Sequence, residues 1–360
     1  MSVDISVIGA SGACGREIVI QIIRDRLLER REILQLVGSN PASSHPFALH
    51  GFRADLQDAY AEAVPELDVT DDPTQIIGEV VVMAGGATFP TDPRQVGSAS
   101  RDALAHQNRA VFERFAHALS RTRADNPPVV IVVTNPVELG VRIFSKHLPR
   151  ECVIGMGAYS DSLRFRWEIA HDIGVNRQRV HAYVLGEHGS GMVPLWSSVR
   201  VQGFSSAEWR AAEKRLRRGE ESNTFAQRLE AERGRLVEML TSDPHGGPGQ
   251  ALRHVAGLAP DLRVALKPFA IHYTEAKTVE ATCHAVVELV TAIVSGRPME
   301  IAAQYQHEGE SGIHGPFGAR LIVAGSVERL LPIEGYWREE TDLLYQAAEG
   351  IQSKLAEWCA

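Results

Sequence analysis

Short apolar runs alternate with helix-period segments through the first half of the chain. Ile5–Ile8, Ile33–Val37, Val80–Met83 and Val129–Val133 each carry at most one polar residue. That is the pattern of strands covered on both faces. Between them, Arg16–Glu29 and Arg101–Arg121 have the spacing of amphipathic helices. Strands that alternate with helices predict a parallel sheet with right-handed crossovers. The second half has a different texture. Ser160–Ile173 reads as a helix, and Arg179–Leu185 as a strand running into the turn Gly186-Glu187-His188-Gly189. Ser206–Leu240 is a long charged helical stretch, and Thr241–Gly249 is a break by its Pro and Gly content. Thr278–Val294 and Glu340–Trp358 read as helices and Ala319–Ala324 as a strand. The expected organisation is a doubly wound α/β unit over 1–155 and an α+β unit over 156–360. The second unit carries an added charged segment at about 206–250.

Composition narrows the class. The chain has 360 residues, 37 Lys+Arg and 45 Asp+Glu, for a formal net charge of −8. An acidic balance argues against nonspecific binding to nucleic acid or to an anionic membrane surface. No apolar run approaches the ~20 residues that span a bilayer, and the N-terminus lacks a basic region before a long apolar stretch. Cys14, Cys152, Cys283 and Cys359 stand far apart with no metal-ligand spacing. A cytoplasmic protein without a metal is expected.

Gly9, Gly12 and Gly15, with Ser11 and Ala13 between them, fall at the first strand–helix junction. A tight turn needs a residue without Cβ, and close backbone approach to a pyrophosphate needs another. The helix start then offers free N–H groups and a positive dipole end. This makes the first unit a Rossmann dinucleotide-binding domain. A carboxylate usually closes the second strand and binds the ribose hydroxyls of NAD. Here the strand ends on Gly38 and Ser39, with no carboxylate and no nearby Arg or Lys in sequence. Either NAD or NADP is admitted, with a tilt to NADP.

Three further segments carry chemistry. Thr134-Asn135-Pro136 follows a strand at the edge where open α/β sheets bind ligands. Asp161 and Arg164 are three apart, on one helix face. His188 sits in a Gly-flanked turn after a strand. In this order, after the glycine turn at Gly9–Gly15 and Asp55-Leu56-Gln57-Asp58, the motifs resemble those of the lactate/malate dehydrogenase family over most of the chain. The resemblance implies reversible hydride transfer on a small 2-hydroxy acid. His188 would be the general acid/base, Asp161 its orienting carboxylate and Arg164 the clamp on the substrate carboxylate. Asn135 would hold the substrate oxygen or the nicotinamide ribose region, and Thr278 would line the pocket. The family is often oligomeric, so a homodimer or homotetramer is expected.

In the family a mobile loop after the fourth strand carries a carbonyl-polarising Arg, and Arg101 fits that role. The residue that reads the far end of the substrate is Arg94 by its local pattern and Gln95 by counting back from Arg101. Arg94 would select malate/oxaloacetate, the first choice; Gln95 would select lactate/pyruvate. The loop is longer than the family's pattern, and Ser190-Gly191 stands where an Asp often follows the His-Gly pair. The segment at 206–250 is read as a solvated helix pair or an entrance cap, separable from the fold. Two other classes compete: an NAD-dependent glycoside hydrolase with a metal on Cys152 and His188, and a catalytically silent nucleotide-binding protein.

Overall fold

The structure, a computed structural model, describes residues 3–39, 47–95 and 101–359. The chain begins β1 (Ile5–Ile8), α1 (Ala13–Arg24), β2 (Ile33–Val37), α2 (Ala48–Ala59) and β3 (Glu66–Thr70). It continues through β4 (Val80–Met83), α3 (Arg101–Thr122), β5 (Val129–Val132), α4 (Val137–Phe144) and β6 (Val153–Gly155). These six strands are parallel in the order β3-β2-β1-β4-β5-β6. That is the doubly wound order whose carboxyl edge receives a dinucleotide. Strands β1, β4 and β5 are buried at every position, because helices cover both faces.

The rest of the chain runs α5 (Gly157–Ile173), β7 (Val180–Gly186), β8 (Met192–Val201), α6 (Ser206–Arg217) and α7 (Phe225–Ser242). Then come α8 (Gly247–Ala256), α9 (Pro260–His272), α10 (Val279–Ser295) and β9 (Met299–Glu308). It closes with β10 (His314–Ala324), β11 (Ser326–Leu330) and α11 (Arg338–Cys359). The sheet continues past β6 through β9, β10, β7 and β8, now antiparallel. Only Gly155↔Gln304 pairs β6 with β9, so the parallel and antiparallel parts meet at a single rung. A Rossmann parallel sheet followed by an α+β part is therefore the observed architecture. Among the described residues no helix is long and apolar enough to cross a membrane.

Several elements differ from expectation for identifiable reasons. Strand β3 reads Glu-Leu-Asp-Val-Thr, too polar for a central strand, and it stands at the sheet edge. Strand β6 has three residues, too short to register as a pattern. The stretch Ser206–Leu240 divides into α6 and α7, in keeping with the helix-pair reading. Arg218 and Gly219 both take positive φ and stop α6. The break at Thr241–Gly249 is narrower than expected, since α8 starts at Gly247. The Asp243 carboxylate orders the turn by accepting from the His245 and Gly246 N–H groups.

The added segment is not separable. Phe225, Leu229, Leu236 and Leu240 of α7 are buried with Phe165 of α5 and Trp196 of β8 in one apolar cluster. Helix α7 thus completes the core under the antiparallel sheet. Truncating Leu240 to Ala is expected to destabilise the protein by about 2–5 kcal/mol, read by chemical denaturation. A loss within experimental error would return the segment to the status of a solvated appendage.

Candidate active site

The carboxyl edge of the parallel strands is shaped for a dinucleotide. Gly9 takes φ +82 after β1, and a Cβ on Gly15 would collide with the Gly9 carbonyl, so α1 packs directly on the turn. Gly12 caps α1 without a side-chain hydrogen bond, and the first turn carries no acidic residue. Its N–H groups, beside Ser11 and Ala13, are left for phosphate oxygens. Gly38 and Ser39 end β2, and Ser39 lines a cavity of about 620 Å³ with Gly86, Asn108, Val111 and Arg114. Asn135 follows β5; its carbonyl accepts from the Asn108 side chain at 2.7 Å. The Asn135 Oδ1 is buried with no partner, which leaves an acceptor for a bound group. These features fit a nicotinamide dinucleotide.

Asp161 lies one turn into α5 and is 1 % exposed. Its Oδ2 meets His188 Nδ1 at 2.7 Å, and its Oδ1 accepts from Arg164 Nη1 at 2.9 Å. Burial by itself would push this carboxyl up. The His188 ring and the Arg164 guanidinium outweigh burial and hold it below the usual carboxylate range. The approach is close: a Cβ on Gly157 would overlap the His188 ring. Arg164 and Thr278 line a cavity of about 520 Å³ beside Leu163, Trp167 and Lys267. The structure therefore brings His188, Asp161 and Arg164 together; Thr278 shares a cavity wall with Arg164, and neither His188 nor Asp161 lines that cavity.

A ring of charges surrounds the His188 turn. Glu138, fully buried at the start of α4, accepts from the His188 backbone N–H at 2.6 Å. Burial pushes the Glu138 carboxyl up, against the pull of Arg101. Arg101 opens α3, donates to the His188 carbonyl, and stands 3.6 Å from Glu138 and 3.9 Å from Glu187. Glu187 accepts from the Gly191 N–H at 3.0 Å and from Lys354 of α11 at 2.6 Å. Helix α11 also secures α3, because Trp358 Nε1 donates to Asp102. Glu138, Glu187 and Lys354 were not anticipated. The one available signal was Glu138, a lone acid in the apolar run Val-Glu-Leu-Gly-Val.

Arg94, the first candidate for reading the far end of the substrate, is not brought into the site. Arg94 is 76 % exposed and makes a bidentate pair with Asp92. Gln95 ends a single 3-10 turn, Pro93–Gln95, and its side chain lies outside the described residues, as does the loop 96–100. The expectation that no base lies near Ser39 is corrected: Arg114 Nη2 donates to the Ser39 carbonyl at 2.6 Å. Their separation of 75 residues along the chain hid the contact. Among the described residues no group of three or more His, Cys, Asp and Glu side chains is arranged to hold a metal ion.

Because the folded Asp161 ionises below its unfolded value of about 3.9, its pairing stabilises the fold above that pH. The contribution is lost as pH falls through the folded value. The stability gap between the native chain and Asp161→Asn is expected to be largest near neutrality and to close below about pH 4, followed by denaturation at several pH values. A gap independent of pH would mean that the carboxylate's charge is not what the site uses.

Two family models match the chain: the NAD-binding domain of lactate/malate dehydrogenase over residues 3–155, and the α/β C-terminal domain over residues 160–242. A malate dehydrogenase of Methanosphaera stadtmanae is 29% identical over 206 residues, 56% of this chain and 61% of its own length. An L-lactate dehydrogenase of Deinococcus radiodurans is 29% identical over 202 residues, 56% of this chain and 57% of its own length. The matches thus span under two thirds of these relatives. The solved malate dehydrogenase of Cryptosporidium parvum superposes with a TM-score of 0.74 at 19% identity, over 99% of both chains. That likeness establishes the fold. The two domain models, in order and across well over half of the sequence, place the chain in the lactate/malate dehydrogenase family.

Proposed function

We propose that the chain is an NAD(P)-dependent oxidoreductase acting reversibly on a small 2-hydroxy acid, with malate/oxaloacetate as the first substrate pair. The observation that carries the reading is the buried Asp161 shared between His188 and Arg164 at 2.7 and 2.9 Å. In this reading residues 1–155 bind the dinucleotide and 156–360 supply the substrate chemistry, in a homodimer or homotetramer.

A nicotinamide cofactor supplies the hydride in the reducing direction and accepts it in the other. The chain's own residues do the rest. Asp161 faces Nδ1 of His188, so the N–H at that atom is held toward the carboxylate and Nε2 is turned to the substrate oxygen. The protonated ring gives its Nε2 proton to the oxygen that becomes the hydroxyl, and Asp161 stabilises the charged form until then. Arg164 uses one Nη on Asp161, which fixes the guanidinium plane; its remaining donors pair with the substrate carboxylate. Arg101, whose buried Nε makes no hydrogen bond and stands 3.9 Å from Glu187, is the proposed donor to the carbonyl oxygen. The free Asn135 Oδ1 accepts from the nicotinamide ribose region or the substrate hydroxyl.

Arg94 is the proposed reader of a second carboxylate, turning from Asp92 to the substrate. A lactate/pyruvate reading has one observation in its favour, the outward pairing of Arg94 with Asp92. Initial rates with oxaloacetate and pyruvate, each against NADH and NADPH, decide between them. Oxaloacetate is expected to give the higher kcat/KM, and Arg94→Gln to lower that value far more than the one for pyruvate. An unchanged preference removes Arg94 from the site. His188→Gln is expected to cut kcat by about 10²–10⁴-fold while cofactor binding, followed by fluorescence, persists. Turnover that survives His188→Gln would sink the mechanism.

A further inference from the structure

The carboxyl end of β2 holds two charges that the motif does not contain. Arg114, on the fourth turn of α3, reaches back to the Ser39 carbonyl at 2.6 Å and lines the 620 Å³ cavity beside it. Its Nε is buried without a hydrogen-bond partner. Among the described residues no carboxylate pairs with this guanidinium, and burial lowers its pKa without threatening its charge. The guanidinium meets the Phe115 ring at 4.7 Å and the Ser39 carbonyl, so among the described residues it faces no full negative charge, and an anion brought to the cavity wall would supply one. On the other side of the strand end, a Cβ on Gly38 would run into the Asp71 carboxylate. Asp71 follows β3 and is exposed, and it makes no ion pair among the described residues.

Resting on the dinucleotide reading above, we propose that Arg114 is the residue that binds the 2′-phosphate of NADP(H), with Ser39 beside it and Asp71 opposing it. A ribose seated over Gly38 and Ser39 directs its 2′ position along this strand end, where the Rossmann arrangement places the discriminating group. Arg suits the task because its planar fork meets phosphate oxygens with two donors at once. The contact with the Ser39 carbonyl uses one Nη and holds the fork in place, so little side-chain freedom is lost on binding. Asp71 supplies from the neighbouring strand the negative charge that β2 lacks. Being exposed, it weakens the preference by a screened repulsion and does not abolish it. The balance of these two side chains, not the Gly38-Ser39 pair alone, would set the cofactor.

The test is direct binding by the full chain, with no turnover involved. Isothermal titration with 2′,5′-ADP and with 5′-AMP separates the 2′-phosphate from the rest of the nucleotide. The native chain is expected to hold 2′,5′-ADP more tightly. Arg114→Met should weaken that binding about 10- to 100-fold while 5′-AMP changes by no more than about twofold. Arg114→Lys should restore part of the loss. Asp71→Asn, nearly isosteric at an exposed position, should tighten 2′,5′-ADP about fivefold. If 5′-AMP binds and 2′,5′-ADP shows no advantage, or the advantage survives Arg114→Met, the assignment of Arg114 is overturned and the dinucleotide site stands. Binding of neither nucleotide overturns both.

Discussion

The site is organised around one buried carboxylate that two side chains hold from opposite oxygens. Asp161 is 1 % exposed, and an isolated carboxylate there would cost several kcal/mol in lost hydration. His188 and Arg164 offset that cost from opposite oxygens, and each is oriented by doing so. The surrounding charges continue the alternation outward. Lys354 meets Glu187, Arg101 stands between Glu187 and Glu138, and Glu138 holds the backbone of His188. In the proposed reading, the substrate carboxylate on Arg164 and the proton on His188 meet through the one Asp161 carboxylate that both side chains share, which couples carboxylate binding to proton transfer.

That arrangement depends on how two kinds of sheet are joined. The parallel strands deliver the Gly9 turn, the Ser39 end and Asn135 to one edge, as the doubly wound order requires. Helix α5 begins two residues after β6 and presents Asp161 and Arg164 on one flank. Strand β7 then returns antiparallel so that its terminal turn lays His188 on the first turn of α5. Helix α11 closes the circuit late in the chain, fastening α3 through Trp358 and the His188 turn through Lys354. Residues separated by up to 256 positions in sequence are thus made into one charged cluster.

This division explains what could be read from the sequence. Strands β1, β2, β4 and β5 were legible because central parallel strands must be apolar on both faces. The edge strand β3 and the three-residue β6 carry no such requirement. Asp161, Arg164 and His188 announced themselves through local spacing and flanking glycines. Arg114, Glu138 and Lys354 did not, because their partners lie 75, 50 and 167 residues away. Helix α7 was misjudged for a related reason. Its exposed face is densely charged, and Leu236 and Leu240 show as core only once α5 and β8 are set beneath them.

The two loop cations illustrate how a contact's worth depends on its setting. Arg94 has the better geometry, a bidentate pair with Asp92, yet that pair is exposed, and exposed pairs contribute little. Exchanging Asp92 for a substrate carboxylate in a drier place gives up little and gains a stronger field. Arg101 has poorer contacts, at 3.6 and 3.9 Å, but makes them with Glu138 and Glu187, which are almost wholly buried. Withdrawing it would leave the buried Glu138 without a cation, while Glu187 keeps Lys354, so it is fixed where it stands. A fixed Arg suits polarising a carbonyl at one position, and a releasable Arg suits reading whether a second carboxylate is present. The outward pose of Arg94 is therefore compatible with the malate reading, because the contact that holds it there is the one most easily exchanged.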